Sequence, residues 1–123
     1  MIVIDTSALI DSLSGSRRSA PKLRGLIESG ERIILSSIVL YEWLRGPRLA
    51  EELQAQSELF PPGEAATFGS AEAAIAAELY RHVRSPRGRE IDLAIAATAI
   101  ARQSALWSLN GEDFRDIPGL ALI

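Results

Sequence analysis

Three acidic residues stand in surroundings unlike those of a solvated surface acid, and a fourth lies one helical turn beyond a strand. Asp5 is flanked by Ile2-Val3-Ile4 and Ala8-Leu9-Ile10, Asp92 by Ile91 and Leu93-Ala94-Ile95, and Glu42 lies between Tyr41 and Trp43. Asp113 comes shortly after the apolar run Leu106-Trp107-Ser108-Leu109 and the turn residues Asn110-Gly111. A carboxylate buried without a partner is very costly, so acids in such settings are held by neighbours or by a cation. Two carboxylates ~5 Å apart repel by roughly 3 kcal/mol at an effective dielectric near 20. A divalent ion removes that penalty, and oxygen donors without His or Cys suit Mg²⁺ or Mn²⁺ rather than Zn²⁺.

Each acid also has a plainer use. Asp5 is placed to cap the helix that starts near Thr6. Asp92 is placed to complement the positive end of its own helix, an effect of ~0.3–1 kcal/mol. Asn110-x-x-Asp113 resembles a capping arrangement. Glu42 is spaced i, i+3 from Arg45, which fits a surface ion pair. Glu90 and Asp116 are intermediate candidates for an auxiliary role, whereas Asp11, Glu51, Glu52, Glu72 and Glu78 read as exposed helix acids.

The elements that must bring the four together alternate between strand and helix. Ile2-Val3-Ile4 is a β-branched strand run ending at the helix-start residues Asp5-Thr6-Ser7. Helices are expected from Ala8 to Leu13 and from Pro21 to Ser29, then a strand at Ile33-Ile34-Leu35 and a helix from Ser36 to Gly46-Pro47. Pro47 suits the first position of a further helix, with Leu49, Leu53 and Phe60 as its apolar side. Ala71, Ile75, Leu79 and Val83 form an i, i+4 stripe, and Ser85-Pro86-Arg87-Gly88 is a loop before an alanine-rich helix from Ile91 to Gln103. A strand at 106–109, a helical turn at 112–116 and a last strand at 120–123 complete the chain.

Strands that are apolar throughout and separated by helices predict a mostly parallel sheet covered by helices on both faces, an α/β fold. In such sheets ligands bind beyond the carboxyl ends of the strands, where Asp5 and Asn110 fall. With 123 residues and no internal repeat or linker, the chain reads as one domain over 1–123. There is no cysteine, no apolar run of membrane-spanning length and no signal-like start, which favours the cytoplasm and excludes a thiolate site. Net charge is −3, so bulk charge gives no argument for nucleic-acid binding. Its distribution does: twelve of the thirteen basic residues are arginine, and Arg81, His82, Arg84, Arg87 and Arg89 fall in a stretch without an acid. Arg87 and Arg89, in the Pro/Gly loop beside Asp92, are the candidates for RNA phosphate contacts. Arg81 and Arg84 are accounted for by the C-terminal end of a helix.

Taken together, Ile2-Val3-Ile4-Asp5-Thr6-Ser7, Tyr41-Glu42-Trp43-Leu44-Arg45-Gly46, Asp92-Leu93-Ala94-Ile95-Ala96-Ala97-Thr98-Ala99 and Leu109-Asn110-Gly111-Glu112-Asp113-Phe114 resemble PIN-domain ribonucleases. In size and layout the chain is similar to the VapC toxins of type II toxin–antitoxin modules. The resemblance implies a Mg²⁺- or Mn²⁺-dependent endoribonuclease that hydrolyses RNA by metal-activated water, with a VapB-type antitoxin as partner and a homodimeric state. It makes Asp5, Glu42, Asp92 and Asp113 the acidic, metal-binding quartet, and Thr6, Ser7 and Asn110 the groups that orient them. Many relatives carry Thr two residues before the Asn; here Ser108 keeps the hydroxyl. An Asp-nucleophile phosphatase needs an acid where Ser7 stands, and a receiver-like domain needs a late lysine, whereas the one lysine is Lys22. The alternative of another class is a catalytically inactive PIN-like module that binds RNA or an antitoxin-like partner.

Overall fold

The computed structural model describes residues 1–123. Three short strands, β1 (Ile2–Ile4), β2 (Ile33–Ile34) and β3 (Ala105–Trp107), form a parallel sheet in the order β2-β1-β3. The register pairs Val3 with Ile34 on one side and with Leu106 on the other. Successive strand side chains point to opposite faces. Ile2, Val3 and Ile4 are all buried, so both faces of the central strand are covered, as the uninterrupted apolar run predicts.

Six helices supply the cover: α1 (Thr6–Leu13), α2 (Ala20–Glu28), α3 (Ser37–Arg45), α4 (Ala50–Leu59), α5 (Ser70–His82) and α6 (Glu90–Ala101). Every residue of α6 from Leu93 to Ala99 is buried. A helix apolar on all sides belongs in the interior. Its alanines allow close approach, and α6 packs against α5, α3, β1 and β3. A single cluster of 24 buried apolar residues joins strands and helices. None of the helices is long and apolar enough to cross a membrane.

Two expectations fail around α4. The helix begins at Ala50 rather than at Pro47, because Arg48 folds back onto the preceding helix. Its guanidinium lies 4.2 Å from the Trp43 ring centroid, and its Nε donates to the Trp43 carbonyl at 2.9 Å. A β-carbon on Gly46 would stand 2.8 Å from the Arg48 guanidinium, so glycine makes room for this return. The buried side of α4 is also not the Leu49/Leu53 side, which is exposed; Glu52 and Gln56 are inside. Glu52 is therefore no surface acid. Its carboxylate accepts the Leu49 N–H at 2.8 Å, and that bond, with further ones from Ser14 and Gly15, holds its pKa below the usual carboxylate range. Gln56 Nε2 donates to the Phe60 carbonyl at 3.0 Å. Polar groups can fill this interior because each finds a backbone partner.

The expected last strand is reduced to one parallel bridge between Leu106 and Leu122. Pro118 and Gly119 (φ +81°) shorten the approach to it.

A candidate acidic site at the carboxyl rim of the sheet

Asp5 directly follows β1 at the carboxyl rim and is 5% exposed. Its backbone occupies the N-cap position of α1, but its side chain makes no capping hydrogen bond. Instead Oδ2 accepts two hydroxyls, Ser7 Oγ at 2.9 Å and Ser108 Oγ at 2.7 Å. Oδ1 accepts nothing from the protein and is not sealed in, so it remains available to a ligand. Ser108, just past β3, also accepts the Asn110 N–H at 2.9 Å, and Ser7 accepts the Leu109 N–H at 3.0 Å. The two serines thereby tie the ends of β1 and β3 together while orienting one carboxylate. Ser7 is the hydroxyl that donates to Asp5 from α1. Asn110 contributes its backbone N–H, and Ser108 adds a role that only the threonine of related sequences signals. Ser108→Ala should keep the fold and lower any metal-dependent activity by about 10–100-fold, the usual cost of losing an outer-shell partner; an unchanged rate constant would remove Ser108 from the site.

Glu42, on α3, reaches the same rim, with its side chain 16% exposed. Thr6 Oγ1 donates to its Oε1 at 2.6 Å, and Arg45 Nη2 donates to its Oε2 at 3.2 Å. The expected i, i+3 pair with Arg45 thus exists. Thr6 orients Glu42 rather than Asp5.

Asp92 lies in the first turn of α6 and is partly buried. Its carboxyl is pushed up from 3.8 to about 6, first by burial and then by the negative charges of Asp5, Asp113 and Glu42, with Arg89 opposing. Asp113 sits on the exposed helical turn Gly111–Asp113. One carboxyl thus feels three others carried on β1, α3 and the loop after β3. Without a counter-ion, burial and that repulsion raise the pH at which the Asp92 carboxyl gives up its proton.

The donor chemistry fits a hard divalent cation: oxygen groups alone, one open carboxylate oxygen on Asp5, and a half-buried Asp92 carboxyl raised by burial and by the like charges around it. No three of the acids stand close enough to form a ready-made cage, so binding such an ion entails side-chain movement. None of the surface cavities is lined by any of the four acids. The rim is open, which suits a polymer better than an enclosed small molecule.

The two loop arginines part ways. Arg87 is exposed and makes no ion pair. Arg89 is turned inward onto Asp116 by a bidentate pair at 2.7 and 2.9 Å. Glu90 accepts the Gly88 N–H at 2.6 Å on the outside of the turn.

The fold and site define an α/β domain with an acidic, oxygen-only centre at the carboxyl rim of a short parallel sheet. Residues 2–120 match the model of the PIN domain, and the chain belongs to that family. It is 36% identical over 122 residues to Ribonuclease VapC19 of Mycobacterium tuberculosis, covering 98% of this chain and 97% of that protein. Among solved structures, VapBC2 from Rickettsia felis bound to a promoter DNA fragment contains a chain with a TM-score of 0.76 at 22% identity, covering 100% of this chain and 98% of that one. FitAcB from Neisseria gonorrhoeae gives 0.77 at 22% identity, with 100% and 96% covered. These two share the fold.

Proposed function

We propose that this chain is a Mg²⁺- or Mn²⁺-dependent endoribonuclease and the toxin of a type II toxin–antitoxin pair. The observation that carries the reading is the Asp5 carboxylate at the sheet rim, with one oxygen fixed by Ser7 and Ser108 and the other open, and with Glu42, Asp92 and Asp113 near enough for their charges to couple. The full-length likeness to a protein named as a ribonuclease supports the choice of RNA as substrate.

Asp5, through its open oxygen, and Asp92 are the principal ion-holding groups, with Glu42 and Asp113 completing the charge. A divalent cation held by these residues would supply positive charge for the scissile phosphate and would lower the pKa of water at the site. Ser7 and Ser108 fix the Asp5 carboxylate so that its free oxygen faces outward. Thr6 does the same for Glu42. The Arg45 pair does not block Glu42, because an i, i+3 pair at a partly exposed position is worth only about 0.3–0.5 kcal/mol and each carboxylate oxygen keeps a free lone pair. Arg87, exposed and without an ion pair in the loop before α6, is the candidate for an RNA phosphate. In-line attack leaves 5′-phosphate and 3′-hydroxyl ends, and RNA in the cytoplasm is the target.

The antitoxin partner has a candidate seat apart from the four acids. A groove of about 410 Å³ runs between α1, α2 and α4, with an apolar lining that includes Leu13, Leu23 and Ile27, and with two arginines, Arg17 and Arg24, against one acid, Glu28. That lining suits an apolar, acid-bearing segment of a VapB-type protein. Assembly of two copies of the chain is part of the same reading.

A fluorescent single-stranded RNA and chelator-stripped protein test the proposal. Cleavage should be absent without metal, return with Mn²⁺ or Mg²⁺, and leave 5′-phosphate ends. RNA that is bound but left intact at every metal concentration would instead make the chain an inactive binding module.

A further inference from the structure

Arg89 stands at the N-cap of α6, one turn before Asp92, after a reversal that Gly88 makes at φ +86°. Its Nη1 donates to Asp116 Oδ2 at 2.9 Å and to the Arg84 carbonyl at 3.2 Å. Its Nη2 donates to Asp116 Oδ1 at 2.7 Å and to the Asp113 carbonyl at 2.9 Å. Each terminal nitrogen carries two hydrogens, so all four are occupied and no terminal N–H remains for a phosphate. The side chain is only 21% exposed, unlike that of a cation waiting for a polymer.

We propose that Arg89 and Asp116 form a clasp that holds the Asp113 turn against the start of α6, making Arg89 a positioning residue for the acidic rim rather than a grip on RNA. The proposal rests on the nuclease reading for its purpose but on the hydrogen bonds for its geometry. Asp92 and Asp113 belong to segments separated by β3, and the turn bearing Asp113 is short and exposed. The fork of Arg89 spans that gap, touching the carbonyl of Asp113 itself and the carboxylate three residues later. A fork that fixes two directions at once sets both the distance and the angle of the turn; a lysine ammonium, a single point of charge, sets neither. The Asp113 carboxylate is left free to act, because the clasp uses its backbone oxygen.

The test compares wild type, Arg89→Gln, Asp116→Asn, their double variant and Arg89→Lys, each checked for folding by circular dichroism. Mn²⁺ binding is followed by electron paramagnetic resonance, and RNA cleavage by kcat and KM. Both single variants should bind Mn²⁺ about tenfold or more weakly, as outer-shell losses do, and should lose kcat with KM nearly unchanged. The double variant should be no worse than the poorer single one, since both break the same contact. Arg89→Lys, which keeps the charge and is the gentler change should Arg89→Gln fail to fold, should fall with the others. The salt dependence of RNA binding should keep its slope. The clasp is overturned if Asp116→Asn binds Mn²⁺ like wild type, if the two losses add, or if the Arg89 variants alone lose RNA affinity with a flatter salt slope. A wild type that binds Mn²⁺ but leaves RNA intact would sink the nuclease reading alone, because the metal titration judges the clasp without RNA.

Discussion

Asp92→Asn is expected to silence RNA cleavage and, in the same protein stripped of metal, to raise the melting temperature at neutral pH. The folded chain holds the Asp92 carboxyl near about 6 against 3.8 for the free group. Between those values the folded state binds more protons than the unfolded one, so stability declines as pH rises through them. Asp92 contributes its full stabilisation below about pH 4 and has lost it above about pH 6. At neutral pH its ionised carboxylate is a standing cost of about 1–2 kcal/mol, allowing for solvent screening at a partly exposed site. Asparagine removes the charge and the cost. The gain of some 3–6 °C should vanish at pH 4 and should shrink when Mn²⁺ is added to the wild type. Melting curves of both proteins across this pH range in chelator decide the matter. A variant less stable than wild type at pH 7.5 would mean that Asp92 is satisfied as it stands and that the acids do not crowd one another.

Asp5→Asn has an equally large effect on activity and almost none on stability, which separates the two acids. The Oδ2 of Asp5 is held by Ser7 and Ser108, and an asparagine carbonyl accepts the same two hydroxyls. What changes is the open atom, from a charged oxygen to an amide N–H₂ that repels a cation. Cleavage should fall by at least about 10²–10³-fold, comparable to removing one preorganised electrostatic group from an active site. The melting temperature should stay within a few degrees of wild type. Metal-dependent cleavage that survives in a preparation free of contaminating nuclease would take Asp5 out of the mechanism.

What the residues announce and what they conceal follows from range. Asp5 is legible because a β-branched run stops at it, and a parallel strand places its next residue at the rim where ligands sit. The burial of α6 is legible from a stretch of alanine, leucine and isoleucine with no polar side. Pairings between distant segments leave no periodic trace. Nothing local to Arg89 announces Asp116, 27 positions away, so a loop arginine beside an acid looks like a phosphate contact. Glu52 misleads for a related reason: α4 carries leucines that suggest one buried side, but the turn after α1 supplies donors that draw in the opposite, polar side. The helix start at Ala50 was hidden because Pro47 satisfies every local rule for a first helical residue, while Arg48 is held by Trp43.

The hydroxyl bond from Ser108 to Asp5 joins residues 103 positions apart, and β1 lies between β2 and β3. One flank of β1 stays bare until residues 105–107 pair with it. Closing so wide a loop is slow compared with forming a helix. The acidic centre is thus among the last parts to assemble, and a truncated or half-translated product carries most of its acids with no orientation for them.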